Sequence, residues 1–131
     1  MPKTALLGGT LIASFIILIG YGHGIVPIIL VELPYPMAFL KDIPFEYKYL
    51  ATPSLVFFAG HILYIVALFA KYPFLLRGSL AVLWVGLLML VWLIFDGDVI
   101  GVFALISGIP FIICSVILFV KSFIKKTEPV N

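Results

Sequence analysis

The sequence predicts an all-α integral membrane protein in which four transmembrane helices form an antiparallel bundle, with both termini on the inner side (N-in/C-in). Of its 131 residues, 64% are hydrophobic and only 11% are charged, whereas about a quarter of an ordinary soluble domain is charged. Four apolar runs reach the length of about 20 residues that crosses a hydrocarbon core. Basic residues also concentrate on one side of this arrangement. The lipid bilayer is therefore the expected surroundings of most of the chain.

The predicted spans are residues 5–31, 50–70, 75–95 and 99–120, and together they make one membrane domain over 1–131. None of them contains an acid or a lysine, and Arg77 lies near the start of the third, where its long side chain can reach the headgroups. The first run is longer than the apolar region of a signal peptide and lacks a small-residue cleavage site. We therefore expect it to be retained as a span.

The distribution of charge predicts the orientation. If both termini lie on one side, that side carries six basic residues, and the other side carries only Lys41 and Lys48 together with most of the acids. Loops rich in lysine and arginine stay inside, so the sequence favours a multi-pass protein of the plasma membrane or a bacterial inner membrane. The six are Lys3, Lys71, Arg77, Lys121, Lys125 and Lys126.

The outer segment, residues 32–49, is rich in proline and aromatic residues. Tyrosine and other aromatic side chains favour the membrane–water interface, so the favoured interpretation is a loop that lies flat on the membrane. The alternative is a surface on which a partner or substrate docks. Its candidate partner-binding residues are Tyr35, Phe39, Phe45 and Tyr47.

Small residues recur four positions apart in two places. Gly20 and Gly24 form a GxxxG pair, and Ala104 and Gly108 form a second pair of small residues. Such spacing allows two helices to approach closely in lipid, where the hydrophobic effect does not drive association. The sequence leaves open whether the partner helix belongs to this chain or to another one.

The only histidines, His23 and His61, both fall inside predicted spans. Ionisable residues at membrane depth suggest a functional site, although a neutral imidazole is less costly there than a charged group. His23 is expected about 15 Å below the outer surface and His61 about 16 Å below it. The two histidines are therefore expected at nearly the same level on consecutive helices.

Two ligand-binding uses of the histidines and one structural use remain open. Opposed histidines with small residues around them suit a b-type haem, and a single imidazole beside aromatic residues suits a quinone. The favoured use is structural, with each imidazole bonded to Tyr21, Ser54, Tyr64 or a backbone carbonyl near Pro27. A metal site is disfavoured because two histidines leave a tetrahedral ion short of ligands. The single cysteine, Cys114, excludes an internal disulfide.

The favoured function is a small non-catalytic, accessory or structural, subunit of a larger membrane protein complex, with other membrane subunits as partners. An enzyme is disfavoured, because the sequence has no GxSxG motif and no histidine–aspartate pair at motif spacing. A net charge of +2 argues against nucleic acid binding. The alternatives are a haem- or quinone-binding redox protein that uses His23 and His61, and an oligomeric small-molecule carrier or channel.

Overall fold

The computed structural model describes residues 3–21, 24–27, 48–92, 94–97 and 99–124. These residues include four helices and one short hairpin. The helices are α1 (Lys3–Phe15), α2 (Lys48–Ala70), α3 (Pro73–Trp92) and α4 (Val99–Ile124), and the hairpin strands are β1 (Leu18–Tyr21) and β2 (Gly24–Pro27).

Three of the helices are long and apolar enough to cross a membrane. Their candidate spans are Thr52–Ala70, Pro73–Trp92 and Gly101–Ile124, with 19, 20 and 24 residues. At about 1.5 Å per residue these lengths are about 28 to 36 Å, which matches a hydrocarbon core of about 30 Å. The prediction of a helical, multi-pass membrane protein is confirmed to this extent.

Short connections join the long helices. After α2, Lys71 takes a left-handed backbone conformation with φ of 56°, and its N–H donates to the Ala67 carbonyl over 3.1 Å. Pro73 then begins α3, a position where a missing N–H costs nothing. After α3, the turn formed by residues 94–97 includes Gly97, whose φ of 78° favours glycine.

Helices α2 and α3 pack closely because each presents a glycine to a large side chain of the other. A Cβ placed on Gly60 would lie 2.8 Å from Leu83 Cδ2, and one on Gly86 would lie 2.8 Å from Phe57 Cδ2. Leu83 and Phe57 are both fully buried. The two contacts interlock side chains across the interface, as ridges and grooves do in packed helices.

Helices α3 and α4 also approach closely through small residues. A Cβ on Gly101 would lie 2.9 Å from the Leu90 carbonyl oxygen of α3, and one on Gly108 would lie 3.1 Å from Leu87 Cδ1. Ala104, between them on the same face, is fully buried. The predicted pair Ala104 and Gly108 therefore occupies a contact region within this chain, and contact with another chain stays a prediction.

The prediction of one continuous helix over 5–31 is wrong. Helix α1 ends at Phe15, and β1 and β2 pair as an antiparallel hairpin in which Leu18 faces Pro27 and Tyr21 faces Gly24. At about 1.5 Å per residue, the 13 residues of α1 cover about 20 Å, less than a hydrocarbon core. Glycine weakens a helix by about 1 kcal/mol relative to alanine, and the isoleucine-rich stretch around Gly20 favours strands.

This difference also changes the interpretation of Gly20 and Gly24. In the hairpin, Gly20 faces Ile25 and Gly24 faces Tyr21, so the pair does not lie on one helical face and the helix-packing argument does not apply to it. The pair's role in partner binding stays a prediction. The remaining partner-binding candidates, Tyr35, Phe39, Phe45 and Tyr47, lie outside the described residues.

Large apolar side chains cover the faces of the three long helices that point away from the bundle core. Val66, Leu88 and Ile106, one from each helix, are 47%, 58% and 61% exposed. The core, by contrast, consists of fully buried residues from all four helices, including Leu6, Tyr64, Leu83 and Phe111. Apolar residues on both the inside and the outside fit a lipid environment.

Candidate functional site

A group of buried hydroxyl and imidazole side chains lies where α1 meets α2. On α1, Thr10 and Ser14 are four residues apart and both are fully buried. On α2, His61 and Tyr64 are three residues apart, and His61 is only 3% exposed. Residues at these spacings share one helical face. The polar groups therefore face each other across the contact between α1 and α2.

The central contact of this group joins His61 to Ser14. His61 Nε2 lies 2.9 Å from Ser14 Oγ, and Ser14 Oγ donates its own hydrogen to the Leu11 carbonyl over 2.7 Å. A serine hydroxyl has one hydrogen. When that hydrogen goes to Leu11, Ser14 Oγ accepts from the imidazole in the tautomer that carries the N–H on Nε2.

Two aromatic rings flank the imidazole of His61. The Phe15 ring centroid lies 4.4 Å from the imidazole centroid at an interplanar angle of 47°, and the Phe57 ring stacks on it at 5.9 Å and 28°. Phe57 is the same side chain that packs against Gly86 of α3. His61 is therefore held by hydrogen bonding to α1 and by ring contacts with both α1 and α2.

A second hydrogen bond joins the same two helices farther along. Tyr64 Oη donates to the Leu7 carbonyl over 3.0 Å, and Thr10 Oγ1 donates to the Leu6 carbonyl of its own helix over 2.8 Å. Leu7 and Ser14 are two helical turns apart, or about 10 Å. Two polar contacts at this separation fix both the register and the direction of α1 on α2.

The surroundings of Ser14 and His61 favour a structural contact over nucleophilic catalysis. A base that activates serine must accept the serine hydrogen, and the Leu11 carbonyl competes for that hydrogen at 2.7 Å. Ser14 is also fully buried. The contact instead satisfies two polar groups that would be costly to leave unpaired in an apolar interior.

The site residues predicted from sequence have different outcomes. His61 lies in the buried cluster of polar side chains between α1 and α2. Its hydrogen bond to a hydroxyl is the type of contact that the structural interpretation predicts. The hydroxyl belongs to Ser14, however, and not to Ser54 or Tyr64. His23 lies outside the described residues, so ligation of one haem by both histidines stays a prediction. A haem iron on Nε2 of His61 would have to displace Ser14.

Sequence reasoning missed Thr10 and Ser14 as members of the site. Their four-residue spacing on one face, within an otherwise apolar helix, is the signal that was available. The hydroxyls of both residues also bond to carbonyls of their own helix, which is how serine and threonine are commonly accommodated in membrane helices.

Two further polar contacts join α3 to α4. Trp84 Nε1 donates to Ser115 Oγ over 3.1 Å. Near the start of α3 and the end of α4, Arg77 donates from Nε to Ser122 Oγ over 3.2 Å and from Nη2 to the Ser122 carbonyl over 2.7 Å. No protein-family model, curated protein or solved structure matches this chain.

Proposed function

We propose that this chain is a small non-catalytic subunit of a larger membrane protein complex, built as an antiparallel helical bundle with both termini inside. The observation that carries the proposal is the use of the buried polar groups. The His61–Ser14 and Tyr64–Leu7 contacts each join two helices of this chain. The polar chemistry of the described interior therefore serves helix packing.

Contacts near the helix ends support the antiparallel arrangement. Leu7 contacts Tyr64 while Ser14 contacts His61, so the start of α1 lies toward the end of α2. Arg77, near the start of α3, contacts Ser122, near the end of α4.

The arrangement of charges supports the orientation. The same contacts bring Lys3, Lys71, Arg77 and Lys121 toward one end of the bundle, whereas Asp96 lies in the turn at the opposite end of α3. By the positive-inside rule, the end that carries the basic residues is the inner one.

The exposed apolar faces of the long helices support association with other membrane chains. Lipid tails are about as apolar as leucine, so a partner helix replaces lipid through better packing rather than through the hydrophobic effect. On α4, the large side chains of Phe103, Ile106 and Ile113 are exposed and available for such packing. A subunit that packs against its partners needs no charged residue within its spans.

The test of this function uses the outer segment. Replacing Phe39, Phe45 and Tyr47 together with serine should release the chain from its partner subunits, because anchoring aromatic residues carry much of the binding energy of an interface. The measurement is the ratio of partner chains to this chain after affinity purification in a mild detergent. We expect that ratio to fall by at least about tenfold, which corresponds to about 1.4 kcal/mol.

A matched control removes three aromatic residues around the turn between α2 and α3. Phe69, Tyr72 and Phe74 are 83%, 67% and 85% exposed, and replacing them with serine should leave the ratio unchanged. Equal loss of partners in both triple variants would reject the outer segment as the docking surface. A wild-type chain that purifies without partners in fixed stoichiometry would reject the proposed function itself.

A further inference from the structure

The end of the protein that carries Arg77 has a fixed guanidinium close to the expected membrane–water interface. Arg77 is four residues after Pro73, the first residue of α3, which corresponds to about 6 Å along the helix axis. Tyr72 and Phe74 flank that helix start, and both are largely exposed. Aromatic side chains of this kind favour the headgroup level. The guanidinium therefore lies about one helical turn from that level.

The guanidinium is held in place by α4. Its two hydrogen bonds to Ser122 come from different nitrogen atoms, and its central carbon lies 4.4 Å from the centroid of the Phe123 ring. A cation above an aromatic face is attracted to it. Contacts on two sides fix both the position and the plane of a side chain that is otherwise among the most flexible.

The guanidinium retains donors for another group. Arginine has five N–H donors, and two of them go to Ser122, the one hydrogen-bond partner of Arg77 among the described residues. The acidic residue in the described part of the chain, Asp96, lies at the opposite end of α3. A positive charge with available donors near the headgroups suits an anion.

Two more basic residues lie near this position. Lys121 directly precedes Ser122 on α4, and Lys71 lies just before the start of α3; both side chains are exposed. Arginine pairs with phosphate through two parallel N–H···O bonds, and nearby lysines add unspecific attraction to a negatively charged membrane surface. The chemistry thus matches a phosphate that is fixed at headgroup depth.

We propose that Arg77, supported by Lys71 and Lys121, binds the phosphate of an anionic lipid headgroup at the junction of the start of α3 and the end of α4. The lipid phosphate accepts from the N–H donors that Ser122 leaves available. The acyl chains then lie along the exposed apolar surface of the two helices. This site uses none of the residues of the outer segment, 32–49, that is proposed to bind partner subunits.

The test measures lipid bound to the purified full-length protein by native mass spectrometry. The probes are phosphatidylglycerol and phosphatidylcholine with identical acyl chains, which differ in net headgroup charge. We expect the wild type to prefer phosphatidylglycerol by about fivefold, and Arg77→Gln to lose this preference, since one basic residue near an anionic surface has an effect of this order. Inorganic phosphate at the same concentration should not displace the lipid.

The matched control is Lys48→Gln, which changes the net charge equally at the start of α2, and it should keep the preference for phosphatidylglycerol. If Arg77→Gln does not give folded protein, Lys121→Gln replaces it, with a smaller expected loss in the same direction. Equal binding of the two lipids by the wild type would overturn the proposal. So would an Arg77 or Lys121 variant indistinguishable from Lys48→Gln, or displacement of the lipid by inorganic phosphate.

Discussion

His61→Ala should lower the free energy of unfolding by about 2 to 5 kcal/mol, the range for truncating a large buried side chain. The imidazole is 3% exposed and contacts Ser14, Phe15 and Phe57. Its removal leaves a cavity between α1 and α2 and takes a hydrogen-bond partner away from Ser14. The measurement is the thermal or denaturant-induced unfolding of the protein in detergent micelles.

Packing, rather than hydrogen bonding, should account for most of this loss. Hydrogen bonds between membrane helices contribute about 0.6 kcal/mol on average, which is several times less than the cost of a cavity. His61→Leu fills the space without the hydrogen bond, so it should cost only about 1 kcal/mol. A double-mutant cycle with Ser14→Ala should give a coupling energy of about 0.6 to 1.7 kcal/mol.

A control variant and an absorption spectrum distinguish a structural role of His61 from haem binding. Ser79→Ala removes a hydroxyl that donates to the Leu76 carbonyl of its own helix over 2.8 Å, so it should change stability by no more than about 0.6 kcal/mol. If His61→Leu cost as much as His61→Ala, the packing account would be wrong. A haem absorption spectrum of the purified protein that disappears in both His23→Ala and His61→Ala would establish the redox alternative.

Gly101→Ala should be destabilising, although alanine is the better helix former. The new methyl group would lie 2.5 Å from Ile94 Cγ1, 2.8 Å from the Ile94 backbone nitrogen and 2.9 Å from the Leu90 carbonyl oxygen. Backbone atoms cannot move aside as a flexible side chain does, so the turn between α3 and α4 must shift. Overpacking of this kind costs about 1 to 3 kcal/mol, so after the gain of about 1 kcal/mol in helix propensity the net loss of stability is up to about 2 kcal/mol.

Gly78→Ala is the matched control for this prediction. It makes the same substitution on a spanning helix at a glycine with nothing within 4 Å of the added Cβ. It should leave stability unchanged or raise it by up to about 1 kcal/mol. The two variants should differ in midpoint of unfolding in the stated direction. Similar midpoints would contradict the close approach of α3 and α4 at Gly101.

The long helices could be predicted because their apolar runs are bounded by clear signals. The runs 50–70, 75–95 and 99–120 correspond to Lys48–Ala70, Pro73–Trp92 and Val99–Ile124. Their ends differ by a few residues at most. The start of α3 at Pro73 follows the preference of proline for a first helical turn.

The first span could not be predicted correctly because its apolar run has no periodicity that separates a helix from a strand. The run continues past Phe15, where α1 ends, into β1 and β2. Its length suggested a single crossing. The residues around Gly20 favour strand and turn conformations. The high hydrophobicity of the whole run does not reveal this local preference.

The partner of His61 could not be read from the sequence either. The choice among Ser14, Ser54 and Tyr64 depends on the register of α1 against α2, which no local pattern encodes. Ser14 becomes the partner because α1 packs with Leu7 beside Tyr64, two turns away. The type of contact, an imidazole bonded to a hydroxyl, was predictable because a buried polar group needs a partner.

The most direct test of the proposed function is the protein mass and composition of the particle extracted from native membranes in a mild detergent. Light scattering gives the mass of its protein part, and mass spectrometry identifies its chains. A subunit of a larger complex should give a protein mass well above the 14.5 kDa of this chain, with other membrane chains in fixed stoichiometry. A particle that contains this chain alone, as a monomer or as a multiple of 14.5 kDa, would contradict the proposal.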